Sequence, residues 1–172
     1  WCFHPTSSPK ILGDAANWKN DAVYSYPPTS FWGTYVKQQL HDDLGINLVK
    51  NKTVTSSGAD DGYAAANAVD DDYTTVWKST AAGDKYIAVD LGEEYLINRW
   101  VVRHGGTKLA ASVNTRDFKF QISADGQTWT DKDTITDNTY NITDRFVAPV
   151  KTRYVRLYVT QAGQADNNLN IY

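Results

Sequence analysis

Cysteine is nearly absent: Cys2 is the only one in 172 residues, which excludes an internal disulfide and a cysteine-based zinc site. Disulfide-stapled animal scaffolds are disfavoured by the same observation. Histidine is scarce too. His4, His41 and His104 are far apart and form no metal-type pair at helical spacing. The glutamates are the adjacent Glu93 and Glu94, which read as a solvated strand turn rather than an acid–base pair. Two of the many aspartates could still meet in space as in a glycosidase, which sequence alone does not reveal. No nucleophile elbow, phosphate-binding loop or dinucleotide fingerprint is present. The 17 Lys and Arg residues are scattered among 20 acidic ones for a net charge of −3, so there is no footprint for a nucleic-acid backbone. No run reaches the roughly 18 apolar residues of a membrane-spanning helix. The N-terminus carries no leader pattern, and a chain starting at Trp1 reads as a piece of a longer polypeptide, so the missing leader leaves the compartment open.

What is present is the material of a β-sheet core. Hydrophobic residues make up 41% and aromatic residues 13%, with six Trp among clusters of Thr, Asn, Asp and Gly, the pattern of short strands joined by polar turns. In Arg153–Val159, Val155, Leu157 and Val159 alternate with Tyr154, Arg156 and Tyr158, which predicts one core face and one rim face. Phe118, Phe120 and Ile122 alternate likewise, and Asp125-Gly126 then turns the chain toward Trp129 as a hairpin. Two more strands are predicted at 86–91 and 96–104, joined by Gly92-Glu93-Glu94. Trp100-Val101-Val102 is apolar on both faces, as in a central sandwich strand. Before residue 46 the pattern changes. Thr29 or Ser30 can cap a helix carrying Val36, Leu40 and Leu44 and ending at Gly45. Residues 1–45 therefore read as the tail of an upstream, possibly catalytic, domain or a linker, and 46–172 as one all-β module.

The segment Asn67-Ala68-Val69-Asp70-Asp71-Asp72-Tyr73-Thr74-Thr75-Val76-Trp77 crowds three carboxylates and two hydroxyl residues into one turn. Such a turn suits a hard cation, which takes oxygen ligands, or it is simply a solvated acidic turn; spacing leaves both open. This segment resembles the Asn-Ala-x-Asp-Gly-x-x-x-Thr-x-Trp signature of coagulation factor V/VIII C-type, or discoidin, domains and family 32 carbohydrate-binding modules. Tyr86-Ile87-Ala88-Val89-Asp90-Leu91-Gly92, the Phe118–Trp129 hairpin and Arg153-Tyr154-Val155-Arg156-Leu157 agree with the same family, so the likeness spans 47–172. It implies a galactose-binding-like jelly-roll β-sandwich with a short N-terminal helical extension. It also implies a structural Ca2+ held by the Asn67 carbonyl, the Asp70 side chain, the Asp72 carbonyl and Thr75. Asp71 replaces the family's Gly, and Asp is one of the few residues that visit the left-handed region. The family's last metal ligand, a Glu on the final strand, is expected just beyond Tyr172.

Family 32 modules bind the end of a glycan in a shallow site made by loops at one end of the sandwich. A ring stacks on the sugar's C–H face and polar side chains orient its hydroxyls. His104, followed by Gly105-Gly106 and then Asn114-Thr115-Arg116, resembles the His-x-Gly … Asn-Thr arrangement of some members. The sugar-binding candidates are therefore His104, Asn114 and Arg116, then Lys108, with Tyr63 as the stacking ring and Trp77 as its alternative. Ala165-Asp166-Asn167-Asn168 reads as a solvated turn at the same rim. The resemblance implies a secreted, bacterial, non-catalytic module that binds terminal galactose or N-acetylgalactosamine, with glucosamine and glucan binders sharing the fold. It would carry an attached glycoside hydrolase to its glycan. The alternatives are a catalytic part of such a hydrolase, or a phospholipid-binding or adhesion discoidin domain. The acidic Asp60-Asp61-Gly62-Tyr63 loop argues against anionic lipid.

Overall fold

A computed structural model describes residues 47–172; the segment 1–45 and the helix expected within it lie outside the described residues. Seven strands follow in order: β1 Thr53–Ser56, β2 Trp77–Ser79, β3 Lys85–Arg103, β4 Asp117–Ser123, β5 Thr130–Ile135, β6 Ile142–Gln161 and β7 Leu169–Ile171. Neighbours run β1-β3-β6-β4-β5 in one sheet and β2-β7 in another, all antiparallel.

The frame is a long ribbon of β3 and β6, paired from Lys85↔Val159 to Arg103↔Ile142, with register shifts between Asp90/Tyr95 and Ile97/Arg99. The two strands expected on either side of Gly92 are thus halves of one irregular strand. Gly92 has φ +90°, a backbone only glycine adopts cheaply. Its N–H donates to Asp90 Oδ1 at 2.8 Å, and Arg153 donates to both Asp90 oxygens at 2.8 Å. At this bend the ribbon folds into two layers. Trp100, from the far half, stacks on Phe120 at 5.5 Å and meets Phe118 edge-on at 6.1 Å. The core is one cluster joining Ile87, Val89, Val155, Leu157 and Val159 to Trp77, Leu169 and Ile171. This is a jelly-roll β-sandwich.

The alternation read in Val155, Leu157 and Val159 is real: all three are buried. Trp100-Val101-Val102 is not buried on both faces, because Val101 is 45% exposed on the outside of the second layer. The Asp125-Gly126 turn is built by its own side chain. Asp125 Oδ1 accepts from the Gln127 and Thr128 N–H groups and from Ser123 Oγ, at 2.7–2.8 Å.

Antiparallel pairing decides where the loops go. The segments after β1 (57–63), before β3 (80–84), before β4 (104–116), after β5 (136–141) and after β6 (162–168) all leave the main sheet at one end. The far half of the ribbon returns to that end as well. His104 bridges to Ile171, and its N–H donates to Asn141 O at 2.8 Å.

Candidate functional site

Chemistry-bearing side chains gather in two places, the acidic turn and the loop-bearing end. In the turn, a 3-10 segment Ala65–Ala68 delivers Asn67, whose amide donates to Val76 O at 3.0 Å and so closes the loop. Asp71 occupies the left-handed region with φ +66° and is paired with Lys50 at 2.8 Å. The Asp72 carboxylate turns away toward the Thr74 N–H and hydroxyl, which hold it below the usual carboxylate range. Its carbonyl is thereby left facing inward. Thr75 Oγ1 then lies 2.7 Å from Asp70 Oδ2, 2.8 Å from Asp72 O and 3.4 Å from Asn67 O. A hydroxyl has one proton; Asp72 O already accepts from the Thr75 N–H at 3.1 Å, so Asp70 Oδ2 and Asn67 O are left to share that proton. The turn therefore gathers four oxygens with a deficit of hydrogen, drawn from a single carboxylate, two carbonyls and a hydroxyl. Among the described residues no group of three His, Cys, Asp or Glu converges; what the turn gathers is oxygen alone, the donor type that hard cations take.

At the loop-bearing end, the 57–63 loop is fastened to β2. Asp60 N–H donates to Lys78 O at 2.8 Å, Lys78 N–H to Tyr63 O at 3.2 Å, and Thr80 N–H to Asp60 Oδ1 at 2.9 Å. Tyr63 is held there 41% exposed, with Lys78 Nζ 5.3 Å from its ring centre. Trp77 has no exposed surface and donates its indole N–H to Gly58 O at 3.0 Å. It anchors the core beneath the Tyr63 loop, and the stacking role considered for it is corrected.

His104 and Asn114 are corrected likewise, because both side chains are fully buried. His104 Nε2 meets Thr143 Oγ1 at 2.8 Å, its Nδ1 has no partner, and its ring lies 5.1 Å from that of Phe118. Burial pushes its pKa down to about 4. Asn114 accepts from the Gly106 N–H at 2.7 Å and donates to Thr139 O and Asn141 Oδ1, each at 2.9 Å. The glycines beside His104 serve this packing. A Cβ on Gly105 would collide with Val113 and Asn170, and one on Gly106 with Asn114 and Asn141.

Arg116 is half-exposed and forked onto Asp137, with Asp117 3.9 Å away. Lys108 is exposed. Around them lies a network that the sequence did not reveal. Asn138 donates to Thr115 O at 2.7 Å and accepts from the Tyr140 N–H at 3.1 Å; Gln164 donates to Asn114 O at 2.9 Å and Asn138 O at 2.8 Å. Asn167, in the loop read as a solvated turn, donates to Gly83 O at 2.8 Å. The amides sew four of the five loops together. Asp137-Asn138-Thr139-Tyr140-Asn141 is recognisable in sequence as a turn, but nothing local distinguishes the inward Asn138 from its exposed neighbours.

A family model described as the F5/8 type C domain matches residues 51–171. The family 32 carbohydrate-binding module of Streptococcus pneumoniae EndoD is 24% identical, with a TM-score of 0.65 over 73% of this chain and 94% of that one. Chitosan-binding module 2 of a chitosanase/glucanase from Paenibacillus sp. IK-5, solved with chitotriose, is 26% identical, with a TM-score of 0.61 over 72% and 95%. A Clostridium perfringens module solved with GalNAc-β-1,3-galactose is 18% identical, with a TM-score of 0.61 over 70% and 91%. No curated protein matches.

Proposed function

Because the chain belongs to the F5/8 type C, or discoidin, family, we propose that it is a non-catalytic carbohydrate-binding module with its sugar site at the loop-bearing end. The observation that carries this reading is Tyr63, an exposed ring on a loop whose backbone is tied to β2, beside Lys78, Asp60 and Asp61. A ring fixed in this way stacks on a pyranose with little ordering cost, and the flanking polar groups orient hydroxyls. The preference for galactose rested on a His–Arg pair, and with His104 buried it loses its carrier. Asp60 and Asp61, on the Tyr63 loop itself, supply carboxylates that suit a glucosamine unit, in keeping with the chitosan-binding neighbour. The neighbours' enzyme parents support a role in carrying a glycoside-active domain of the same secreted polypeptide to its glycan.

One shallow site gathers few contacts, so micromolar to millimolar affinity is expected. Isothermal titration with glucosamine oligomers is expected to detect binding, and Tyr63→Ala to weaken it about tenfold. Equal affinity in the variant would place the site elsewhere, and turnover of any glycoside would overturn the non-catalytic reading.

We also propose a structural calcium ion at the acidic turn, held by the Asn67 carbonyl, the Asp70 side chain, the Asp72 carbonyl and Thr75. The oxygen surplus around Thr75 Oγ1 supports it. Such an ion supplies positive charge where the Asp70 carboxylate and the Asn67 carbonyl share one hydroxyl proton, and its binding energy adds to folding stability. Chelation is expected to lower the melting temperature by about 5 °C, with recovery on adding calcium and no response in Asp70→Ala. An unchanged melting temperature in the parent protein would remove the ion from the reading.

A further inference from the structure

Among the described residues four aromatic side chains are exposed: Tyr63 at 41%, Tyr73 at 44%, Phe146 at 73% and Tyr140 at 75%. Three of them carry a cation on the ring. Lys78 lies over Tyr63, Arg103 over Tyr73 at 4.4 Å, and Arg99 over Phe146 at 5.6 Å. Of these four, Tyr140 has neither a cation nor another ring against it and is the most exposed. An open aromatic on a mobile loop would mean little, but this loop is held from within. Its N–H donates to Asn138 Oδ1, its carbonyl accepts from Asn138 Nδ2 at 3.2 Å, and the flanking Thr139 and Asn141 are both bonded to buried Asn114. Thr107 Oγ1 donates to Asn141 O at 3.0 Å, tying the segment that leads into the exposed Lys108 and Leu109 to the residue after Tyr140.

Resting on the carbohydrate-binding reading, we infer that Tyr140 with the Thr107–Leu109 segment forms a second saccharide-contact site, separate from that of Tyr63. Tyr63 follows β1 and Tyr140 follows β5, at opposite edges of a five-stranded sheet. Measured along the sheet, four strand spacings, about 19 Å, separate the loop-bearing ends of β1 and β5, more than one terminal sugar spans. The class of ligand is a pyranose further along the same chain, stacked on an uncapped ring with Lys108 beside it to bond a hydroxyl. The module then reads chain length as well as chain end.

Calorimetric titration of the whole chain with glucosamine dimers and hexamers tests this. The parent protein is expected to bind the hexamer about tenfold more tightly than the dimer. Tyr140→Ala is expected to erase that gain while leaving dimer binding alone, Tyr140→Phe to keep it, and Tyr63→Ala to weaken the dimer. If the parent binds both lengths equally, or Tyr140→Ala keeps the gain, the second site is wrong and the Tyr63 site stands. If the parent binds neither, both readings fall together.

Discussion

Lowering the pH from 7 to 4 is expected to cost the module about 3 kcal/mol of folding stability, chiefly through His104. The unfolded histidine takes up its proton near pH 6.5, whereas burial holds the folded one to about 4. Between those values the unfolded state binds more protons, so stability rises with pH and is lost as pH falls. The full side chain is sealed from water, so screening does not discount the effect. Other shifted groups act chiefly below this window. Asp71, Asp72, Asp90, Asp125, Asp131 and Asp144 are all lowered by hydrogen bonds and ion pairs, Asp90 to about 2 through Arg153. Their contributions begin to fade near pH 5, as unfolded carboxylates of pKa about 3.9 take up protons, and are lost chiefly below pH 4. Urea unfolding at pH 7, 6, 5 and 4 should show the slope in the parent, and in His104→Gln, which can still bond Thr143, a profile nearly flat from pH 7 to 5 with only the carboxylates' smaller fall toward pH 4. His4 and His41 remain in both proteins. A slope surviving the substitution would assign it to another group.

That histidine also shows how far the sequence could be read. Period-two alternation marked Val155, Leu157 and Val159 as inward, and Asp125-Gly126 as a turn, because each signal is local. The substitution of Asp71 for a glycine was readable for the same reason, since only a few residues tolerate φ +66°. The folded ribbon was not. It depends on pairing residues some 60 positions apart, and on a bend at Gly92 that looks from sequence like an ordinary turn between two strands. Val101 is exposed because its layer has a solvent face, a property of the assembled sandwich and not of the Trp-Val-Val triplet.

The polar site was harder still, for a physical reason. Burial of an amide or imidazole depends on distant partners that satisfy it. His104 and Asn114 carry hydrogen-bonding groups next to glycines, and that combination reads equally well as a ligand contact or as tight packing. Here Gly105 and Gly106 make room for Val113, Asn114, Asn141 and Asn170, and none is needed for a sugar to approach. The exposed rings Tyr63 and Tyr140 sit on the outside of the scaffold these residues build.

Asn114→Ala should therefore act on binding through the scaffold, with a stability loss of about 3 kcal/mol. The side chain makes three buried or part-buried bonds, and its removal strands the Gly106 N–H, Thr139 O and Asn141 Oδ1 together. An unpaired buried group costs about 1–3 kcal/mol, and water entering the gap recovers part of the sum. The damage falls on the segments 105–107 and 139–141, next to Tyr140 and away from the β2-anchored Tyr63 loop. Hydrogen exchange at the Gly106 amide is expected to quicken sharply, and the gain in affinity with glycan length to fall in step, while dimer binding changes little. Denaturant unfolding separates this from direct contact. A variant as stable as its parent that had nevertheless lost binding would mean that Asn114 touches the sugar, which its burial forbids in this conformation. A variant unstable by the stated amount, with the Tyr63 site still working, would place Asn114 where the structure does, under the rim and holding it.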